Sequence, residues 1–595
     1  LAEAVAATPS APVVDTRPQW FGHPAQLARL FTTEMWERFG FYGMRALLTL
    51  YLADHFLFND QTTNGLYGAF TALVYLTPLF GGLLADRYLG SKRAVKFGAL
   101  LMAIGYFGLS FGGEAAKPFA TIDGTRYEVV VETSGEDKAQ FIVDGSERLR
   151  IKGNDDGSVG LLRADGSAAR TLPRGSLVSG GERSEFHVMV MLVALAAVVI
   201  GNGFFKPNIS TMVGGLYADG DRRRDAGFTL FYMGINVGAF LAQFFLPLVA
   251  LYFGWSLGFA LAAAGMLMSF LLFQFDKGGL DDYGNPPEQA GPDRSLLIYA
   301  GALLSVPLVW LLLRNTVATA DAARAAADAG TGILGYFASL PLLGKLMFST
   351  FLAAVIGIPA WAFAKGTRAE FQMMVSAFVL IVFNVVFWTL FEQAGSSLTF
   401  FADRNTERDL GFYLVPAGQV QVFNAIFIIL LAPVFSWLWI SLARRGLEPG
   451  IPVKFGIALI GAGVGFLVLV FGTRFAGPDF KVGLGWVAML YFIHSAAELC
   501  ISPVGLSMIT KLSMARIMAM MMGVWFLSIA VAQYVAGIVA QFASVETVGG
   551  EVTNLKLSLE TYAGIFSLIG WIAVGVGVAL LVISPLLKRW MHGVN

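Results

Sequence analysis

Cysteine is nearly absent from the chain: Cys500 is its one thiol among 595 residues, and it sits in an apolar run. No disulfide framework and no thiolate metal site can be built from it. Histidine is scarce as well, at five residues, so no metal-ligand cluster is implied. Charged residues are only 14% of the chain against 56% hydrophobic ones, a balance that excludes an ordinary soluble protein. Lys plus Arg and Asp plus Glu stand at 41 each, so net charge points to no nucleic acid and no acidic partner. There is no nucleophile elbow, and glycine-rich stretches such as GAGVG lack the preceding strand and the following Lys-Ser or Lys-Thr of a nucleotide loop. An enzyme, ATP and any cofactor beyond protons are therefore not implied. The first nineteen residues, rich in Ala, Pro and polar types, lack an apolar core of signal-peptide length and are read as a short soluble tail.

What is present is a recurrence of apolar runs, each near the roughly 20 residues that a helix needs to cross a bilayer core. They fall at 25–52, 63–86, 94–112, 186–216, 227–250 and 252–275, then at 295–313, 342–364, 371–401, 420–442, 452–471, 482–512, 515–542 and 562–587, fourteen in all. Basic residues mark every second connection: Arg87, Lys92, Arg93 and Lys96, then Arg222 to Arg224, then Arg444 and Arg445, with Lys588 and Arg589 closing the chain. The connections at 53–62 and around Leu251 have none. Because basic residues near span ends stay on the cytoplasmic side, both termini are expected in the cytoplasm. The expected class is an all-α membrane protein: a tail over 1–24, a six-helix bundle over 25–275, a linker over 276–370 carrying two additional spans, and a second six-helix bundle over 371–595.

One connection, 113–185, is out of scale and falls on the outer side. Its stretches RYEVVVET, AQFIVDG and SVGLLRADG mix β-branched residues with Asp-Gly turns, predicting a small β-rich insert. Its ten basic residues do not break the sidedness rule, because long loops escape it.

Charges occur where they are costly. A charged side chain near the bilayer centre costs at least about 2.5 kcal/mol and so needs a partner, a cavity or a function. Glu34, Arg38, Tyr42 and Arg45 line one stripe of the first span, with Glu37 beside it. A structural ion-pair ladder is the plain alternative to a functional one. Lys206 lies deep in the fourth run, next to Pro207, where a missing backbone donor loosens the helix. Asn384, Trp388, Glu392 and Ser396 recur every four residues in the second half, and Glu498 has His494 and Ser502 one turn to either side. A pair of opposite charges joining the two bundles could hold one face shut until a proton or a charged substrate releases it. His494 is either a titrating group or a satisfied structural residue.

With these residues in view, the chain resembles the proton-dependent oligopeptide transporter family (POT/PTR) of the major facilitator superfamily. GGLLADRYLGSKR resembles the superfamily's loop signature. EMWERFGFYGMR resembles the family's Glu-x-x-Glu-Arg-Phe-x-Tyr-Tyr motif, GNGFFKPNIS its Lys-Pro-Asn segment, and FTLFYMGINVGAF its Tyr-x-x-x-Asn-x-Gly signature, while FWTLFEQAGSS and AELCISPVGLS are similarly recognisable. The resemblance implies proton-coupled symport of di- and tripeptides in a bacterial-type cytoplasmic (inner) membrane by a protein working as a monomer. Glu34, Glu37, Arg38, Arg45 and Glu392 would couple protons. Arg38 and Lys206 would hold the peptide carboxylate and Glu498, with Ser502 near it, the amino terminus. Tyr42, Tyr75, Asn236 and Asn424 would bond the peptide backbone, and Trp388, Trp525 and Phe526 would wall the side-chain pockets. Two positions depart from the pattern: Phe41 stands for the first Tyr of the motif, and Phe391 for the acid sometimes found before Glu392. A symporter of another anion or metabolite, such as nitrate, is the alternative on the same fold. The intact Glu-x-x-Glu-Arg run and the carboxylate at Glu498 argue for peptide and proton.

Overall fold

In lipid no water is available to backbone N–H and C=O groups, so an apolar run satisfies them within its own segment by becoming a helix. A computed structural model describes residues 18–594 apart from 135–136, 146, 219–220, 222, 281, 289–290 and 502–504. Most of the expected tail, and Arg222, lie outside the described residues. The helices, in chain order, are α1 (Gln26–Leu50), α2 (Asp60–Leu76, resumed after Thr77 as Pro78–Leu84), α3 (Ser91–Leu109), α4 (Glu185–Gly215), α5 (Arg223–Phe253) and α6 (Trp255–Gln274). They continue as α7 (Ser295–Asp328), α8 (Leu342–Lys365), α9 (Arg368–Phe391), α10 (Ser397–Arg404), α11 (Val422–Arg444), α12 (Ile451–Gly472), α13 (Leu484–Ile501), α14 (Met518–Phe542) and α15 (Leu555–Trp590), with two further short helices, Gly332–Ser339 and Gly505–Leu512, in the connections that follow α7 and α13.

Twelve of the described helices are long and apolar enough to cross a membrane, where fourteen crossings were expected. The two that fall short are α1 and α3. The first carries Glu34, Glu37, Arg38 and Arg45 along its length, and the second opens on Lys92, Arg93 and Lys96. The first is largely buried against α5 and α6, while α3 packs against α4 and α6 and leaves Leu100, Ile104 and Phe107 exposed on its outer face. Two apolar cores organise the helices. One gathers residues such as Leu30, Phe70, Phe205 and Phe259, the other Phe378, Phe455, Phe466 and Phe566. Helix α7 packs on α2 and α4, while α8 packs on α9 and α14, and both are largely exposed to the surroundings.

Two close approaches place the functional helices. Pro207 in α4 supplies no N–H for the carbonyl of Gly203, and at that level Gly81 of the resumed α2 lies so near that a Cβ would overlap the Gly203 carbonyl. Thr77 donates to the Val199 carbonyl at 2.9 Å, and Asn202 to that of Val74 at 3.0 Å. In the same way α2 meets α14 at Gly68 and Gly537, where a Cβ on Gly68 would sit 2.7 Å from the Gly537 Cα.

The insert is an antiparallel sheet of β1 (Lys117–Ile122), β2 (Thr125–Ser134), β3 (Asp137–Asp144), β4 (Glu147–Gly153), β5 (Val159–Leu162), β6 (Ala168–Leu172) and β7 (Leu177–Glu182), in the spatial order β6-β5-β4-β3-β2-β1-β7. Gly145 and Gly166 turn two of its hairpins with φ of +61° and +81°, conformations that glycine adopts without a Cβ penalty. The sheet does not stand free. Its core of Ile122, Val129, Ile142, Ile151 and Leu161 includes Val548, from the connection between α14 and α15. The Gly153 N–H donates to the Thr553 carbonyl at 2.9 Å, Asn554 Nδ2 to the Asn154 carbonyl at 2.8 Å, and Lys556 Nζ to Asp155 at 2.7 Å. Ser179 donates to the Thr547 carbonyl. An insert spliced between α3 and α4 thus clasps the far end of the chain.

Candidate functional site

The charged stripe of α1 faces protein and cavity. Arg38 forms a two-bonded pair with the adjacent Glu37, its Nη2 donating to Oε1 at 2.6 Å and its Nε to Oε2. One turn earlier, Glu34 Oε1 lies 3.3 Å from Arg38 Nε, while its Oε2 has no hydrogen-bond partner among the described residues. All three side chains are buried, and the guanidinium carbon lies 5.1 Å from the Phe41 ring centre and 5.9 Å from that of Tyr42. A planar guanidinium that meets a carboxylate with two bonds and stacks on aromatic rings is the arrangement that best tolerates burial.

Arg38 opens onto a cavity of about 320 Å³ between the two sets of helices. One wall is formed by Arg38, Tyr42, Arg45, Tyr75, Lys206 and Asn236, the other by Trp388, Glu392, Asn424 and Glu498. Ten expected site residues therefore share one space. Glu34 and Glu37 sit directly behind Arg38. Lys206 extends its ammonium 4.7 Å over the Tyr75 ring. On the opposite wall Asn424 Nδ2 donates to Glu498 Oε2 at 3.2 Å and to Ser495 Oγ at 3.0 Å, and Trp388 Nε1 donates to Asn384 at 3.1 Å. Asn236 Nδ2 is engaged by the Tyr232 carbonyl of its own helix at 3.0 Å.

Two expected pocket residues do not line the cavity. Trp525 is buried in the second core, where its ring fills the space beside Gly505, and Phe526 is also absent from the cavity lining. Ser502 lies outside the described residues. His494 does line the cavity, yet its Nε2 is 2.9 Å from the Ala462 carbonyl and its ring contacts Phe391 and Phe466, which fits a satisfied structural imidazole. Tyr232, the tyrosine of the Tyr-x-x-x-Asn-x-Gly signature, completes the walls together with Gln243, Gln421 and Tyr491, which the motifs did not single out. A tyrosine or glutamine within an apolar run carries no periodic signal that separates lining from packing.

The expected four-residue spacing of Asn384, Trp388, Glu392 and Ser396 along one helix is corrected by the structure. Helix α9 ends at Phe391, a 3₁₀ turn spans Glu392–Gly395, and Ser396 takes φ −129° and ψ −99° before α10 begins. The break has a physical cause in its neighbours. Glu392 accepts from Arg45 of α1, which also donates to Tyr67 at 2.5 Å, and the freed Gly395 carbonyl accepts from Thr49 at 2.5 Å. Side chains from the other half of the molecule thus satisfy what the interruption exposes.

Further polar bridges between the halves run from this level toward the insert end. Asp60 receives both guanidinium nitrogens of Arg404 at 2.7 Å and the Val545 N–H at 3.0 Å. Gln61 and Gln541 exchange side-chain to backbone bonds of 3.0 and 2.8 Å, Asn64 donates to the Ala540 carbonyl at 3.1 Å, and Gln419 to that of Phe244 at 3.0 Å. The insert end is therefore bolted shut.

Two helical halves joined at one end around a charged, buried cavity, with twelve described helices of membrane-crossing length, are the architecture of a multi-pass membrane transporter. The description of the POT family matches residues 92–555, and the chain belongs to that family. It is 30% identical over 546 residues to the peptide transporter YePEPT of Yersinia enterocolitica, covering 87% of this chain and 88% of the relative. It is also 30% identical to the dipeptide and tripeptide permease A of Salmonella typhimurium, over 96% of this chain and 93% of that one. A crystal structure of a peptide transporter, POT, in complex with sulfate superposes with a TM-score of 0.71 at 30% identity, over 97% of this chain and 98% of the other.

Proposed function

We propose that this chain is a proton-coupled symporter that imports di- and tripeptides by alternating access across a bacterial cytoplasmic membrane, as a monomer, with both termini on the cytoplasmic side. The observation that carries the reading is the division of charge across one cavity, Arg38 and Lys206 on one wall and Glu498 with Asn424 on the other. A short peptide is a zwitterion whose ends are held apart by its backbone. Arg38 and Lys206 receive its carboxylate, Glu498 its ammonium, and Tyr42, Tyr75, Asn236 and Asn424 its amides, with Trp388 against a side chain. The volume lies at the small end of the roughly 300–1,000 Å³ range of small-molecule pockets, which suits two or three residues. The names of the relatives support the same substrate class.

Coupling follows from the pairs. A peptide carboxylate arriving at Arg38 competes with Glu37 and Glu34 for the guanidinium, and a carboxylate that loses its cation in a buried site takes up a proton. Protonation of Glu392 likewise removes the charge that holds Arg45 across the two halves, so the insert end can part. Each proton entering down 100 mV supplies about 2.3 kcal/mol, roughly a fiftyfold concentration ratio.

Binding of a dipeptide to the purified protein, compared with its N-acetylated form, tests the charge division. Glu498→Gln is expected to weaken the free dipeptide about thirtyfold, near the 2 kcal/mol typical of losing one partner of a buried charge pair, and to leave the acetylated one unchanged. Equal weakening of both forms would contradict the assignment of Glu498 to the amino terminus.

A further inference from the structure

Beside α4 and α7, at the insert end, lies a cavity of about 650 Å³ that the transport cycle does not use. Four charges line it: Arg183, Arg314, Glu185 and Asp321. Among the described residues Arg183, Arg314 and Glu185 make no ion pair, and Asp321 accepts only the Asn59 amide, at 3.2 Å. Arg183 lies 4.4 Å over the Phe58 ring with its Nη1 buried and unpartnered, and Trp310 Nε1 is also buried without a partner. Burial pulls the Arg183 guanidinium below its ordinary value, and Glu185 offsets this only in part, so the cation is short of counter-charge. Apart from Asn59 and Thr62 the rest of the wall is apolar, with Phe186, Met189 and Leu192 of α4. Phe186, Met189 and Val193, at positions i, i+3 and i+7, are 62%, 42% and 40% exposed and carry that apolar surface outward along the helix.

We propose that this groove binds one phospholipid whose headgroup carries both a phosphate and a primary ammonium, a lipid of the phosphatidylethanolamine class. The two guanidiniums and the Trp310 N–H face the phosphate, the two carboxylates face the ammonium, and one acyl chain follows the exposed stripe of α4. Guanidinium pairs readily with phosphate oxygens, and Trp suits the depth where one end is apolar and the other wet. Two acids in the same groove disfavour a headgroup that is only anionic. A choline headgroup offers those acids no N–H.

The test uses the full chain in nanodiscs holding equal amounts of phosphatidylethanolamine, phosphatidylglycerol and phosphatidylcholine with matched acyl chains, followed by native mass spectrometry of the lipids that stay bound. The ethanolamine lipid is expected to be retained at least tenfold over the other two. The pair Arg183→Gln with Arg314→Gln should abolish the preference, and Glu185→Gln with Asp321→Asn should turn it toward phosphatidylglycerol. Dipeptide binding, which none of these residues touches, reports that each variant is folded. Retention in the ratio of the bilayer, or a preference that both variants leave intact, overturns the proposal.

Discussion

Arg45 is the residue through which the two halves of the molecule communicate most directly. It starts from α1, reaches Tyr67 of α2 at 2.5 Å, and ends on Glu392 in the break between α9 and α10. A buried pair of this kind adds little net stability over a well-packed apolar pair, whereas removing one partner leaves a costly buried charge. In the proposed cycle its use is to respond to a proton. Glu392→Gln keeps the shape and a hydrogen-bonding oxygen but cannot change charge, so gradient-driven accumulation of peptide should fall at least tenfold while exchange of peptide across the membrane continues. Loss of exchange together with accumulation would instead mark Glu392 as a group that substrate binding itself requires. The α1 stripe and Glu498 were legible in the sequence because charge in an apolar run stands out against its surroundings. Asp60 and Arg404 were not, since each lies at the edge of an apolar run, where a charge is ordinary.

At the scale of elements, long apolar runs translated into helices because the physics that selects them acts within each segment. Interruptions depend on distant neighbours instead. The stretch 371–401 reads as one continuous apolar run, yet it breaks where Arg45, Thr49 and Tyr67 arrive from elements more than 300 residues earlier. Gly395 lies so close to the Tyr67 hydroxyl that a Cβ there would overlap it. Gly395→Ala is therefore expected to push Tyr67 off Arg45 and destabilise the closed insert end by roughly 1–3 kcal/mol, the usual cost of overpacking. Cysteine-accessibility labelling from the insert side, in a Cys500→Ser background, should rise accordingly. Unchanged labelling would show that the break tolerates a methyl group and that its geometry has another cause.

For the whole molecule, the β insert deserves a role in the cycle because it belongs to one half and grips the other. Its strands are recognisable from alternating apolar residues and Asp-Gly turns, but nothing in local sequence announces that Val548 joins its core or that Asn554 caps α15 while bonding Asn154. Such long-range docking is written in surface complementarity, which periodicity does not record. Asn554→Ser retains a capping oxygen and deletes the amide donor, a loss of about 1 kcal/mol, or roughly fivefold in population. Spin labels at positions 61 and 541 should then show a larger open fraction at the insert end. An unchanged distance distribution would make the insert a passenger. The most direct test of the account is uptake of a labelled dipeptide into liposomes holding the purified protein under an imposed inward proton gradient and membrane potential. Proton-coupled import predicts accumulation above equilibrium that an uncoupler collapses; uptake that only equilibrates, or none above empty liposomes across varied di- and tripeptides, would contradict it.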